Sequence, residues 1–543
     1  MRRKVISCLM CALMIATVLV IEVPKNASAQ VTEEWVARYD YSSSDSAHAI
    51  AIDESLGNIY VTGSTGTVAY DTYGNQLWTA KGNGWEIAVA PSSGNVYVTG
   101  NDGTRAFDKS GNLLWEDIGY EGRDLTIVQL SEKIFVTGNC DISGQEENFI
   151  TIAYDSLGNR LWQAHYNGPV NGYDGGNAIA IDPFGKIIVA GTSSGPDTPS
   201  GNPQEDYTTI AYDSSGNRLW VSRYDGPGYM DDHLRALAID SVGNIYVTGK
   251  SGISNYGDFT TISYNNSGNQ RWIDRISGPR SDSSDTGQDI VIDSTGNIYI
   301  TGQLENRKSD WDYATVKYNP SGTKFWTAFY DPASSVDQAK RIAIDSRGNI
   351  YVTGYSYGGG NGADYATLSY DPDGNQRWVS RYAGPGGGSD IAYGLEVDLS
   401  GHVYVTGRSY GTQDNDYATL KYSQVFPNQL PVADAGPDQT GYEGENIQFN
   451  GLASYDPDGS IVNYTWEMGD GTFEYGVLLS YIYHSPGIYI INLTVTDNNG
   501  ASNTDTCNVT ILSKVLSAII DIDPDTLNLK SKGRWITCYI DLP

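Results

Sequence analysis

Carboxylates at a repeated address are the side chains best placed to do chemistry. Asp206, Asp258, Asp312, Asp364 and Asp416 each stand directly before Tyr or Phe, at near-regular intervals. With Glu205, Asp231, Asp232 and Tyr229, they could ligate a cation or accept hydrogen bonds from a hydroxylated ligand. Calcium takes six to eight oxygens, so one row of aspartates needs partners from other loops. An aspartate in this setting is also an ordinary turn or capping residue, and that plainer role is the first expectation for the row. Asp456, Asp458 and Asp497 form a second candidate calcium set, although D-P-D-G is itself a common turn.

Catalytic patterns fare worse. Gly191-Thr192-Ser193-Ser194-Gly195 spells G-x-S-x-G, but a nucleophile elbow must join a strand to a helix, and this stretch follows a strand. His48, His165, His233, His402 and His484 are scattered without ligand spacing. The expectation is a protein that binds without catalysing.

The elements that hold these acids come from one unit repeated eight times. A Y-V-T-G-like run ends at eight glycines from Gly63 to Gly407, and eight tryptophans from Trp35 to Trp378 mark the units again. Repeats of this length mean a solenoid, propeller or array. In the unit around Ala343, Ile342–Ile344, Ile350–Thr353, Tyr365–Tyr370 and Arg377–Tyr382 read as strands. Tight D-x-x-G-N turns separate the first from the second and the third from the fourth. Four antiparallel strands repeated radially make a propeller blade. The chain opens on a lone fourth-type strand, Trp35–Tyr39, and its last repeat lacks one, so the opening strand should close the ring. Closure would remove an edge that invites aggregation.

The tight turns emerge on one face of such a disc. The longer second-to-third and fourth-to-first connections emerge on the other, among them 192–205, 226–235 and 355–363. Variable loops on a rigid scaffold are where binding usually resides. The first two units have short loops, so the rim should be uneven. The tryptophans, one per fourth strand, are expected to pack between blades rather than to stack on a ligand.

Composition narrows the partners. The 543 residues include 65 Asp and Glu against 34 Lys and Arg, a formal charge of -31. Phosphate-rich partners require the opposite sign, so nucleic acid and anionic membrane surfaces are excluded. Calcium and basic or neutral partners, such as glycans or proteins, remain. Arg2, Arg3 and Lys4, the apolar run Val5–Ile21 and Ala27-Ser28-Ala29 read as an export signal ending at residue 29. The mature chain is then secreted or held at the cell surface, with no further membrane insertion. Cys140, Cys507 and Cys538 are left, an odd set that does not make a disulfide framework, although Cys507 and Cys538 could pair.

The copies of D-x-x-G-N-[IV]-Y-[VI]-T-G and D-Y-A-T-x-x-Y resemble the SBBP beta-propeller repeat family over about residues 35–423. That resemblance implies exported propellers, often joined to adhesive modules, and supplies no catalytic residues. Ala211–Trp220 is also similar to the repeat of quinoprotein dehydrogenases, but the adjacent cysteines those enzymes often carry are missing. Beyond a linker, Val432–Pro437, Asp456–Ile461, Trp466–Gly471 and Leu493–Asp497 resemble a PKD domain, an immunoglobulin-like sandwich with Met468 where Phe is usual. Such domains serve as spacers and sometimes as glycan-binding modules. The expected organisation is therefore all-β: a signal (1–29), an eight-bladed propeller (30–424), a linker (425–430), a PKD-like sandwich (431–512) and an incomplete β segment (513–543). The expected role is adhesion to glycan or protein partners through the loop-rich acidic face, with no cofactor required and calcium possible. The rival roles are a propeller enzyme (a glycan lyase or hydrolase, or quinoprotein-like) and a structural component of a surface layer.

Overall fold

The computed structural model of the chain describes residues 30–514 apart from 42–43, 130, 142–146, 197–203, 229, 253–256, 279–283, 306–309, 334, 359–361 and 426–427. The expected signal, Tyr229, the Cys507–Cys538 pairing and most of the C-terminal segment therefore lie outside the described residues. Two units divide after Pro427.

In the first unit, eight four-stranded antiparallel sheets follow one another, as the repeat predicts. Seven are built from consecutive strands, spanning 47–81, 86–118, 121–166, 174–224, 233–276, 286–330 and 337–382. The eighth joins Ile391–Val397, Val403–Tyr410 and Asn415–Val425 to the opening strand, Gln30–Tyr39. That strand pairs antiparallel with the third strand of blade 8, from Gln30 opposite Val425 to Tyr39 opposite Tyr417. The ring is closed by hydrogen bonds between the two ends of the repeat array.

Blades are tied to one another by the tryptophans. The indole Nε1 of Trp35 donates to the Thr72 carbonyl at 3.0 Å, Trp78 to Lys109 at 3.0 Å and Trp272 to Pro320 at 3.1 Å. In each case the acceptor is the third-to-fourth turn of the next blade. A Cβ on that turn's glycine would sit 2.6 Å from Trp78 at Gly111, where φ is +84°. The glycine therefore serves twice, adopting a left-handed turn and leaving room for the ring. At the seam no such turn exists, and Trp378 donates instead to the Gln424 side chain at 2.9 Å. Buried third-strand tyrosines add a second tie: Tyr313, Tyr365 and Tyr417 donate to Ala366, Ala418 and Gly66 carbonyls of the following blade.

The first strands are longer than their sequence suggests. In blade 7 the strand is Asp337–Ile344, not Ile342–Ile344, and in blade 5 His233–Ile239 begins within the stretch 226–235 that reads as a loop. The reason is a β-bulge in the first strand of seven blades, at His48, Arg123, Asn177, Arg235, Gln288, Lys340 and Tyr393. One extra residue breaks the period-two alternation by which a strand is recognised.

The second unit is a β-sandwich. A five-stranded sheet, ordered Gln439–Tyr442, Ser502–Leu512, Gly487–Asp497, Ile461–Glu467 and Phe473–Tyr475, faces the pair Asn446–Asn450 and Leu478–Ile482. Its core holds Trp466, Phe449, Met468, Leu493 and Val509, all buried.

Closure predicts a mutational effect. Replacing Trp35 by Ala should cost about 2 kcal/mol, below the range of about 3–5 kcal/mol for a fully buried ring. Deleting residues 30–39 should expose the edge of blade 8 and drive association, seen as soluble oligomer or aggregate in size-exclusion chromatography with light scattering. A monodisperse deletion variant with unchanged melting would contradict closure.

Candidate functional site

The repeated aspartates are occupied by the scaffold. Arg223 reaches from the fourth strand of blade 4 to Asp206 at 2.7 Å, and its guanidinium also holds the Ser193 hydroxyl and carbonyl. The same clamp joins Arg275 to Asp258 (3.0 Å), Arg381 to Asp364 (2.8 Å) and Arg38 to Asp416 (2.6 Å). W-x-x-R and D-[YF]-[AT]-T are thus two halves of one device. Blade 6 departs from it, with Phe329 where these four blades have Arg and Asp312 buried behind, and blades 1 to 3 have Lys81, Ile118 and His165 there. Ser193 of the G-x-S-x-G stretch lies within a strand, its hydroxyl accepting from Arg223 at 2.6 Å.

Asp232 belongs to a second repeated device. Its buried carboxylate accepts from Gly226 N at 2.6 Å and Gly252 N at 3.0 Å, fastening the fourth-to-first loop to the second strand. Asp285 and Asp390 do the same. Burial pushes the Asp232 carboxyl up to about 6. Asp231 accepts from the Glu205 amide at 3.2 Å, and Glu205 lies 3.3 Å from His233. These contacts place the second-to-third and fourth-to-first loops on one face.

Three sets of carboxylates converge with oxygens within 4.8 Å: Asp206 with Asp225 and Asp232, Asp312 with Asp331 and Asp337, and Asp416 with Asp40 and Asp414. Three carboxylates fall short of a calcium shell, and in two sets an arginine already offsets one charge. In the sandwich, Asp497 is engaged by the Asn499 and Ala501 amides and by Asn428, and Asp458 accepts from Gln429 N at 3.0 Å. Partial burial, then Asp458 and Asp497, push Asp456 up. The three gather at one end of the sandwich without forming a tight cluster among the described residues.

The bulges build a site that the sequence conceals. Each bulge residue stands near the start of an innermost strand, toward the loop face, and Trp85 holds the equivalent place in blade 2, directly before Glu86–Val89. Together they ring the axis. His48 stacks on Trp85 (centroids 4.3 Å, 14°) and meets the edge of Tyr393 at 6.2 Å. Blades 8, 1 and 2 thus supply an aromatic arc. Opposite it stand Asn177, Arg235, Gln288 and Lys340. A cavity of about 370 Å³, lined at this level by Trp85, Arg123, Asn177, Arg235 and Gln288 and not by His48, Lys340 or Tyr393, opens here, within the range of about 300–1,000 Å³ usual for small-ligand pockets.

One residue further along each strand lies a charged floor: Glu86, Asp124, Asp289 and Arg341, with Glu396 beyond. Asp124 accepts from Ile179 N at 2.7 Å and Asp289 from Ile342 N at 3.0 Å, each on the next blade's innermost strand. Asn177 donates to Leu234 O, and His48 meets Gly84 O, in the same way. A bulge frees backbone groups on the inner edge, and the neighbouring blade satisfies them. Arg341 crosses toward Glu86 at 3.8 Å. Desolvation, then Glu86, pushes Asp124 up to about 8, and the same causes with Asp289 push Glu396 up to about 8. Glu396 is exposed at the surface, so solvent tempers the effect of burial on its carboxyl.

Comparison with known proteins agrees with the two units. The PKD domain family matches residues 428–511, the beta-propeller repeat family matches 233–257, 271–303 and 333–361, and a family described as outer membrane protein assembly factor BamB matches 35–186. Collagenase ColA of Clostridium perfringens is 28% identical over 198 residues, covering 36% of this chain and 17% of its own length. Pre-pro-metalloprotease PrtV of Vibrio cholerae is 29% identical over 175 residues, covering 32% and 17%. The chain thus spans about a sixth of each of these relatives. Among solved structures, the PKD1 domain of Vibrio anguillarum Epp is 33% identical, covering 16% of this chain and all of that one, with a TM-score of 0.15. A Bacteroides caccae protein of unknown function is 12% identical, covering 53% and 93%, with a TM-score of 0.31.

Raised carboxyl pKa values set a pH dependence. A carboxyl whose folded pKa lies above its ordinary value favours folding below that ordinary value and loses the advantage as pH rises through about 8. The melting temperature should fall between pH 5 and 9. Glu396→Gln should melt on the order of 2 °C above the parent at pH 9 and match it at pH 5; equal melting at both pH values would refute the assignment. From its motifs and its architecture alike, the chain carries SBBP-type beta-propeller repeats followed by a PKD domain.

Proposed function

We propose that this is an exported, non-catalytic binding or adhesion protein, which contacts glycan or protein partners through the loop-bearing face of the propeller. One observation carries the reading: the long loops and the axial cavity share a face, and the cavity mouth combines an aromatic arc with adaptable hydrogen-bonding side chains. That mixture suits recognition of polar, ring-bearing ligands. The described acids of this face act mainly as acceptors for backbone amides and arginines, roles that position loops rather than transfer protons. The PKD domain fits a spacer. Relatives named as a collagenase and a metalloprotease share only a small part of their length with this chain, so their proteolysis is not carried over.

Calcium belongs to the reading as an option for the carboxylate clusters and the PKD end set. A glycan and protein array probed with the full chain, with calcium and with chelator, tests the whole proposal. Binding to at least one glycan or protein class is expected, weakened about tenfold by Trp85→Ala, which removes stacking surface. No retention on any array feature, in either buffer, would defeat it.

A further inference from the structure

The charge of the mouth runs against the charge of the chain. With 65 acids and 34 bases overall, cations should be scarce at any given spot. Yet Arg235 and Lys340 stand at the mouth and Arg341 directly beneath. Among the described residues Arg235 has no ion pair, and Lys340 touches only the Gln338 side chain (3.0 Å) and the face of Tyr355 (5.5 Å). Burial, then Arg235 and Arg341, pull the Lys340 ammonium down to about 8. These like charges therefore repel across the cavity instead of stabilising it. The acids of the floor are engaged by Arg341, which Asp289, Glu86, Asp124 and Glu396 all favour in its charged form, and Asp124 and Asp289 also serve neighbouring amides. No packing role accounts for an exposed, unpaired Arg235 opposite His48 across the ring.

We propose that the axial pocket holds a carboxylate-bearing saccharide unit, its carboxylate at Arg235 and its apolar ring face against Trp85, both of which line the cavity, with His48 stacked on the indole. The proposal rests on the reading of the loop face as a binding surface and names the ligand class. It also revises the expectation from net charge, which left only cationic, basic or neutral partners. Guanidinium binds carboxylate through paired, charge-assisted hydrogen bonds, so a local guanidinium selects an anion even on an acidic protein. The cavity of about 370 Å³ suits a small ligand of this kind. The overall negative field makes such recognition local, acting at contact rather than by long-range steering.

Isothermal titration of the full chain with trigalacturonate, its methyl ester and neutral galactotriose tests this. Trigalacturonate should bind, with the ester and the neutral trimer at least about tenfold weaker. Arg235→Gln should cost about tenfold, Arg235→Lys should recover part of it, and the exposed position leaves folding intact, checked by thermal melting. N-acetylneuraminate binding in place of trigalacturonate, with the same Arg235 dependence, upholds the site and moves the carboxylate to a different sugar. Equal affinity for acid and ester, or affinity unchanged by Arg235→Gln, overturns the proposal. If neither acidic sugar binds but an array glycan or protein does, the proposal fails and the loop-face reading stands; if nothing binds, both fall.

Discussion

The indole of each fourth strand sits where the next blade has no side chain to offer, and the ring is assembled around that fit. An N–H of tryptophan answered by a turn carbonyl fixes the angle between blades, and the glycine beneath fixes their distance. Seven contacts of this kind run round the disc, and the eighth is made by a glutamine side chain at the seam. Because blade 8 borrows its outer strand from the beginning of the chain, opening the seam loses both a strand pairing and an indole contact. Aromatic pairs across the interfaces, such as Trp272 with Tyr318 at 5.6 Å, add about 0.5–1.5 kcal/mol each.

The same economy governs the acids. Aspartates stand in the D-x-x-G-N turns, before the third strand and in the fourth-to-first loops, and at each address they satisfy backbone amides or an arginine. Asp345, for instance, accepts from its own turn amides and from the Tyr351 hydroxyl. Much of the chain's negative charge is therefore structural. A count of acids therefore says little about the axis, where Arg235, Lys340 and Arg341 stand against the floor acids Glu86, Asp124, Asp289 and Glu396.

Blade number, strand order, ring closure and the two short hairpins were legible because each depends on local spacing. Eight Y-V-T-G runs and eight tryptophans count blades, and Ser64-Thr65 leaves no room for a longer loop. The axial site was not legible. His48, Arg235 and Lys340 stand where a bulge adds one residue, which hides the alternation and makes the strand read as loop. A cue was present all the same: the residue at this position changes type from unit to unit, while the residue before it stays small or apolar. The arginine clamps were equally visible as W-x-x-R beside D-[YF]-[AT]-T, but only pairing of the third and fourth strands shows that one completes the other.

The low hairpins of blades 1 and 2 have a consequence of their own. Ser64-Thr65 and Asn101-Asp102 are the whole of their second-to-third connections, whereas the other blades carry longer ones. The wall around the axis is breached beside the stacked His48 and Trp85.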